Sequence, residues 1–169
     1  EWFNLHAPMK IPEDFMTEER VALHPNCENI LRSLLSYCEE EKLNVHFVVC
    51  PYYITEEHQK IYNSLSDIIA EYGFDYLNSN EYYHEICLDF STDFYNKNHV
   101  NPKGAVKYTR FLGKYIKDKF ELIDHSQEPG YEKWNLEQDL YEKKMEDAER
   151  TIDEKIEYAR TVADYSETL

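Results

Sequence analysis

The sequence predicts an α/β domain built around a parallel sheet, of which the chain holds only a part, followed by a C-terminal helical extension. Two short apolar segments alternate with three segments of helical periodicity, in the order helix, strand, helix, strand, loop, helix. Two strands make a marginal sheet, so we expect the missing strands to lie before Glu1. After Pro129-Gly130 the composition changes, which divides the chain into a domain over 1–130 and a tail over 131–169.

The first predicted element is a helix that follows an irregular lead-in over residues 1–20. The chain begins with Glu1-Trp2-Phe3 rather than with Met, as we expect of a piece of a longer protein. From Asn26 onward, apolar residues recur at intervals of three and four, which indicates one buried helix face. That face consists of Cys27, Ile30, Leu31, Leu34, Leu35 and Cys38.

The next element is a strand over residues 44–50, which are nearly all apolar or β-branched and are followed by Pro51. Such a run is typical of a central parallel strand that is buried on both faces. We interpret His46, inside this run, as a core histidine with its hydrogen bonds satisfied rather than as a ligand.

A second helix and a second strand complete the predicted sheet. Thr55 is the expected N-cap, and the two glutamates that follow it favour the positive end of a helix. Gly73 is the expected C-terminal stop, with a strand over 74–77 directly after it. The buried face of this helix is predicted to be Ile61, Leu65, Ile68 and Ile69.

Residues 78–98 are predicted to form a long loop with a helical turn near 81–86. A third helix then begins, with Asn101 as its cap and Pro102 at its first position. Its buried side is predicted to consist of Ala105, Val106, Tyr108, Thr109, Leu112, Tyr115, Ile116 and Phe120.

The tail over 131–169 holds 12 acidic and 6 basic residues, a net charge of −6, and contains no Gly or Pro. Its apolar residues have a mostly four-three spacing, which predicts a long amphipathic helix. The helix either folds back on the domain or pairs with another chain; we prefer folding back because the seam is weak for a coiled coil. The seam residues are Tyr141, Met145, Ala148, Ile152, Ala159 and Val162.

The composition excludes several classes of function. With 34 acidic and 18 basic residues, the net charge of −16 argues against a nucleic-acid binder and against docking on an anionic membrane. No stretch approaches 18 apolar residues, so we expect no membrane span. The four glycines are too scattered for a phosphate-binding loop, and the four cysteines form no C-x-x-C pair, so we predict no organic cofactor and no metal. The cysteines are expected to be ordinary buried thiols.

The candidate catalytic residues lie in the polar segment 93–105, which places His99 just before a capped helix. Loops of this kind line the active cleft at the strand ends of α/β folds. An imidazole there acts as a general base when its second nitrogen is held by a neighbour. The alternative is that His99 is an ordinary surface or capping residue.

The segment resembles the C-terminal catalytic block of SGNH/GDSL-type hydrolases, whose pattern is Asp-x-x-His followed by Leu-Asn-x-x-Gly-Ala. His99, Asn101, Gly104 and Ala105 stand where that pattern puts them, and the apolar strand that closes with Cys50-Pro51 is similar to the family's. The likeness is to the bacterial cell-envelope branch, which includes acyltransferases and the D-alanyl transfer proteins of teichoic acid, and it covers roughly residues 26–134.

Two departures from the pattern stand out. Asn96 occupies the position where the family has an acid, and Asp93, six residues before His99, could substitute only if the loop folds favourably. The family's nucleophilic serine block has no counterpart here, because no serine follows a strand-to-helix elbow or has a flanking glycine. By itself this chain should not hydrolyse an ester.

The resemblance implies a three-layer, flavodoxin-like fold, represented by its C-terminal half. It also implies an extracytoplasmic serine esterase or O-acyltransferase, tethered by an N-terminal segment, that acts on acyl or acetyl esters of an envelope polysaccharide or teichoic-acid-type polymer. A serine outside this chain would attack the acyl carbon and His99 would move the proton, with Asn96 or Asp93 orienting the ring.

Three residues are predicted to bind substrate: Tyr52 and Tyr53, which follow the first strand, and Asn101. The two tyrosines could stack on a sugar, although packing is an equal alternative. A Cys50–His99 pair is a weaker hypothesis. The competing functions are a non-catalytic SGNH-derived module for envelope polymer assembly, and a cytoplasmic scaffold whose 131–169 helix binds a partner or self-associates.

Overall fold

The computed structural model describes the backbone of residues 6–167 and the side chains of residues 6–163. Glu1-Trp2-Phe3, where the sequence suggests a piece of a longer protein, lies outside these residues. The chain forms two compact units: Ile11–Tyr83, and a second unit that combines Glu1–Lys10 with His84–Leu169.

The unit Ile11–Tyr83 contains two helices and a two-stranded parallel sheet. Its elements are α1 (Pro25–Glu40), β1 (His46–Val49), α2 (Glu56–Glu71), β2 (Asp75–Asn78) and a short 3-10 helix (Ser79–Tyr82). Phe47 lies opposite Tyr76 in the parallel register. The predicted order of helices and strands, and the parallel pairing, are confirmed.

The ends of α2 follow from the local sequence. Thr55 Oγ1 accepts a hydrogen bond from the backbone N–H of His58 at 3.4 Å, which satisfies one of the free donors at the start of the helix. Gly73, with a φ of 75°, provides the left-handed residue after the last turn. Both the predicted cap and the predicted stop are confirmed.

The core of this unit is centred on Leu35 of α1 and on Ile68 and Ile69 of α2, all of which are buried. Apolar side chains from the strands and the adjoining segments pack around these three: Leu23, Leu31, Phe47, Tyr72, Phe74 and Tyr76. The predicted buried face of α2 is therefore confirmed at Ile68 and Ile69, whereas Leu65 is half-buried and Ile61, at 37% exposure, is not covered.

An extended segment before α1 is fixed to α2. Ser64 Oγ donates a hydrogen bond to the carbonyl oxygen of Val21 at 2.7 Å, and Arg20 Nε donates to Asp67 Oδ2 at 2.9 Å. The hydrogen bond from Arg20 lowers the pKa of the Asp67 carboxyl. The end of the predicted irregular lead-in, near Arg20, is therefore held against α2 by hydrogen bonds.

The strand β1 is less buried than the sequence predicts. All four of its residues are half-buried, whereas a central strand was expected to be covered on both faces. Among the residues that the structure describes, β1 pairs only with β2, so one of its edges has no neighbouring strand. The His46 side chain is nonetheless only 9% exposed, with Nδ1 at 3.9 Å from Asp75 Oδ2.

The second unit contains a β-hairpin and two long helices. Its elements are α3 (Tyr83–Ile86), which begins at the boundary between the units, β3 (Phe94–Asn96), β4 (His99–Val100), α4 (Pro102–Phe120) and α5 (Glu132–Glu167). The helical turn expected near 81–86 is confirmed. The hairpin was missed, because 78–98 was predicted to contain no strand.

The helix α5 lies against α4, which is the fold-back arrangement preferred from the sequence. Three seam residues, Met145, Ala148 and Ile152, are buried, and Lys103 of α4 forms an ion pair with Asp153. Other predicted seam residues are not covered: Tyr141 and Val162 are 52% and 50% exposed. The division at residue 130 stays a prediction.

The expectation of four buried thiols is wrong. Cys38 is buried in α1, but Cys27, Cys50 and Cys87 are exposed. Cys27 lies in the first turn of α1, and the other two cysteines directly follow β1 and α3 at points where the chain leaves regular structure.

No helix among the described residues combines the length and the apolar character that crossing a membrane requires.

Candidate active site

His99 is exposed at the start of β4, in the hairpin formed by β3 and β4. It lies opposite Asn96 of β3 in the antiparallel register. Its Nδ1 is 2.9 Å from Asn96 Oδ1, and its ring centroid is 6.2 Å from that of Tyr95. The hairpin thus holds the imidazole by one nitrogen.

The neighbouring backbone determines which ring nitrogen carries the proton. The backbone N–H of Asn98 donates to the same Asn96 Oδ1 at 2.8 Å, so this side-chain atom is the amide oxygen, an acceptor. Nδ1 of His99 must therefore carry the hydrogen that it shares with Asn96. In the neutral ring, Nε2 is then the unprotonated nitrogen, and it makes no hydrogen bond to the described residues. This is the state of an oriented general base.

Asp93 does not contact His99. It is fully buried, and its Oδ2 accepts hydrogen bonds from the backbone N–H of Asp89 at 2.8 Å and from Lys107 Nζ at 2.5 Å. Its Oδ1 accepts from Thr92 Oγ1 at 2.9 Å. Because these donors occupy the carboxylate, Asn96 and not Asp93 is the residue that orients the ring in the structure.

The side-chain amide of Asn101 is hydrogen-bonded at the start of α4, which it caps. Its Oδ1 accepts hydrogen bonds from the backbone N–H groups of Lys103 at 2.9 Å and Gly104 at 3.3 Å. Its Nδ2 donates to the carbonyl oxygen of Thr92 at 2.7 Å. The residue is 3% exposed and has a structural role that places the hairpin on α4, and its contact with substrate stays a prediction.

Gly104 permits the close approach between α4 and the hairpin. A Cβ atom at this position would lie 2.4 Å from the backbone oxygen of Asp93 and 2.9 Å from Val100 Cβ. The Gly that the family pattern places here therefore has a steric reason in this structure.

Tyr52 and Tyr53 belong to the other compact unit, just after β1. Both are half-buried. The Tyr52 hydroxyl lies 2.7 Å from that of Tyr62, and its backbone N–H donates to Asn80 Oδ1 at 2.9 Å. Burial, reinforced by the hydrogen bond with Tyr62, raises the pKa of Tyr52 above its ordinary value. Contacts within the unit therefore cover much of the Tyr52 side chain. A role in substrate binding stays a prediction for both Tyr52 and Tyr53.

Sequence reasoning missed a buried polar network at the carboxyl end of β2. Asn78 Nδ2 donates to Gln59 Oε1 at 3.0 Å, and Asn80 Nδ2 donates to Asn78 Oδ1 at 2.8 Å. Glu81 Oε1 accepts from both Gln59 Nε2 and Asn78 Nδ2, at 2.8 and 3.1 Å. The polar run over 78–81, directly after the strand predicted over 74–77, was an available signal, because parallel strand ends are where α/β proteins gather polar groups.

Lys107 was also missed, because a lone lysine in a helix carries no recognisable pattern. The described residues hold no group of three or more His, Cys, Asp or Glu side chains suited to a metal ion. The Cys50 thiol is exposed, and its pairing with His99 stays a hypothesis.

No protein-family model, curated protein or solved structure matches the chain. The resemblance to SGNH/GDSL hydrolases therefore rests on the sequence pattern around His99 and on the preceding strand.

Proposed function

We propose that this chain is part of an SGNH-like acyl hydrolase or acyltransferase in which His99 is the general base. The observation that carries the proposal is the state of the His99 ring: Nδ1 is held by Asn96 at 2.9 Å, and Nε2, on an exposed side chain, makes no hydrogen bond to any residue that the structure describes. A histidine held in this way can accept a proton from a hydroxyl nucleophile.

The proposed mechanism divides the roles between this chain and groups outside the described residues. A serine outside them attacks the acyl carbon while His99 Nε2 takes the hydroxyl proton, which gives a covalent acyl-enzyme as the alcohol leaves with that proton. Water or an acceptor hydroxyl then reverses these steps. Asn96 orients the ring but supplies no negative charge to stabilise the imidazolium, so we expect slower chemistry than an acid at this position would support.

The proposed substrate class rests on the resemblance to the envelope branch: acyl or acetyl esters of a cell-envelope polysaccharide or teichoic-acid-type polymer, outside the cytoplasm. The three-layer fold belongs to the same proposal. The small size of the sheet supports it: among the described residues β1 pairs only with β2, and a sheet of two strands is marginal by itself.

The test is His99→Ala in the full-length protein, assayed on p-nitrophenyl acetate and on an acetylated polysaccharide. We expect kcat/KM to fall by about 100-fold or more, as is typical when a general base is removed. His125→Ala is the matched control, because His125 Nδ1 is likewise hydrogen-bonded, to Glu128 Oε1 at 2.8 Å, on a side chain that is 43% exposed. Unchanged turnover in His99→Ala would remove this residue from the mechanism.

A second candidate is a non-catalytic module that binds an envelope polymer, and Asn96 in the position of an acid favours it. The same assay separates the two candidates. A wild-type full-length protein that retains an acylated polymer in a pull-down, yet hydrolyses no ester, would establish the module.

A further inference from the structure

The hairpin that carries His99 is closed at its base by the backbone of Asp93. The carbonyl oxygen of Asp93 accepts a hydrogen bond from the backbone N–H of Asn101 at 2.9 Å. Phe94, the next residue after Asp93, pairs with Val100, the residue before Asn101. These two contacts fix the base of the hairpin, and His99 lies on its second strand.

The side chain of Asp93 also attaches the base of the hairpin to α4. Its carboxylate is fully buried, and Lys107 Nζ lies 2.5 Å from Oδ2. Lys107 follows the cap Asn101 by six residues, so the ion pair reaches the second turn of α4, beyond the contacts made by the cap and by Gly104. Three contacts in succession thus hold the hairpin base to one helix.

The pair differs from an ordinary surface ion pair. Its acidic partner has 0% exposure, and the Lys107 side chain is 34% exposed, whereas both partners of the Lys114–Asp118 pair on the same helix are more than half exposed. Removing the lysine would leave a buried carboxylate without its counter-charge, which is unfavourable unless the carboxylate turns toward water. Such a turn would displace the backbone of Asp93, to which the hairpin is anchored.

We propose that Lys107 is a positioning residue for His99, acting through the buried carboxylate of Asp93 and the base of the hairpin. The inference rests on the proposed role of His99 as a base, since positioning matters only for a ring that takes a proton. The proposal concerns the geometry of the ring: with Lys107 in place, the Nδ1–H of His99 faces Asn96, so that in the neutral ring Nε2 is the nitrogen without a hydrogen.

The test compares Lys107→Met, Lys107→Arg and the control Lys114→Met by ¹⁵N NMR of the imidazole in the 169-residue chain. In the wild type and in Lys114→Met we expect the neutral His99 ring to be mainly the Nδ1–H tautomer. In Lys107→Met we expect a mixture with the Nε2–H tautomer, and in Lys107→Arg a return toward the wild-type signature. An unchanged tautomer in a folded Lys107→Met variant would overturn the proposal.

A double variant distinguishes a loss of positioning from a general loss of folding. Asp93→Asn with Lys107→Met removes the buried charge together with its partner, so the chain is expected to fold and still to show the mixed tautomer. If this double variant keeps the wild-type ring signature, the pair contributes stability alone and the proposal fails.

Activity of the full-length protein separates this inference from the proposed function. Lys107→Met is expected to lower kcat by about tenfold, with KM within about twofold, because misplacing a base affects the chemical step. If the tautomer changes as expected but no variant, wild type included, hydrolyses esters, the positioning stands and the proposed function fails.

Discussion

At the residue scale, the amide of Asn96 determines how the His99 ring is held. An amide oxygen accepts the Nδ1–H hydrogen bond as a carboxylate would, so the ring keeps the same orientation and tautomer. It does not supply the negative charge that stabilises an imidazolium. Asn96 therefore orients the His99 ring without stabilising its imidazolium form. A substitution that adds a negative charge at position 96 tests the electrostatic effect by itself.

We predict that Asn96→Asp makes the proposed chemistry of His99 faster. A carboxylate beside Nδ1 stabilises the positive ring that forms when Nε2 takes a proton, so kcat of the full-length protein is expected to rise by about tenfold. The change is measured by ester hydrolysis, with KM expected to stay within about twofold. Asn98→Asp places the same charge on the exposed turn and should give a clearly smaller gain; equal gains in the two variants would contradict the prediction.

Gly104 gives a second prediction at this scale, with a control on the same helix. Alanine at position 104 would place its Cβ 2.4 Å from the backbone oxygen of Asp93, which cannot rotate away, and overpacking of this kind costs about 1–3 kcal/mol. This outweighs the gain of about 1 kcal/mol that Ala brings to a helix. Gly113 has no atom within 4 Å of an added Cβ, so Gly113→Ala should instead stabilise the chain.

Denaturant unfolding measures both glycine variants. A Gly104→Ala variant as stable as Gly113→Ala would show that α4 can move away from Asp93 without cost. The steric account of Gly104 would then be wrong.

At the element scale, strongly periodic segments were predictable and the hairpin was not. The helices α1, α2 and α4 have apolar residues at helical spacing together with local caps such as Thr55 and Asn101, so periodicity and capping agree. The strands β3 and β4 are only three and two residues long. Asn96 and His99 are polar residues within them, so no apolar alternation marks the pairing.

The tyrosines beyond the ends of β1 and β2 give a prediction about pH. Burial raises the pKa of Tyr52 and Tyr83 above the ordinary value of 10.0, so the folded unit favours their neutral form. A raised pKa in the folded state contributes stability that is complete below about pH 10 and is lost as the pH rises further, because the unfolded chain ionises first.

We therefore expect the free energy of unfolding to fall between about pH 10 and 12, by up to about 1.4 kcal/mol per pH unit for each such tyrosine. Urea unfolding at a series of pH values measures this slope. Tyr52→Phe should make it shallower, whereas Tyr37→Phe, at a tyrosine that is 56% exposed, should leave it in place. The same slope in all three proteins would rule out Tyr52 as a source.

At the scale of the whole molecule, the candidate site was predictable as a segment but not as a set of contacts. The sequence located His99 and the cap Asn101, because a polar segment ahead of a capped helix is visible in one dimension. It left Asn96 and Asp93 as alternatives, since the choice depends on the hairpin register and on Lys107, which lies fourteen residues after Asp93. Such a long-range ion pair has no local signature.

The acidic helix α5 gives the last prediction, which concerns self-association. Its buried residues, centred on Met145 and Ile152, already face α4, so the middle of the seam is not available to a second copy. The apolar residues that remain exposed near its start are Trp134, Leu136, Leu140 and Tyr141. A net charge of −16 opposes close approach of two copies, although salt at about 0.15 M screens this repulsion beyond about 8 Å.

We therefore expect the chain to be a monomer, with a light-scattering mass of 20.3 kDa that does not change with protein concentration in the micromolar range. A mass that rises toward twice this value on concentration would contradict the prediction. In that case Leu136→Glu with Leu140→Glu locates the contact, because loss of the dimer in this variant would assign the association to the start of α5. Persistence of the dimer would place it elsewhere on the chain.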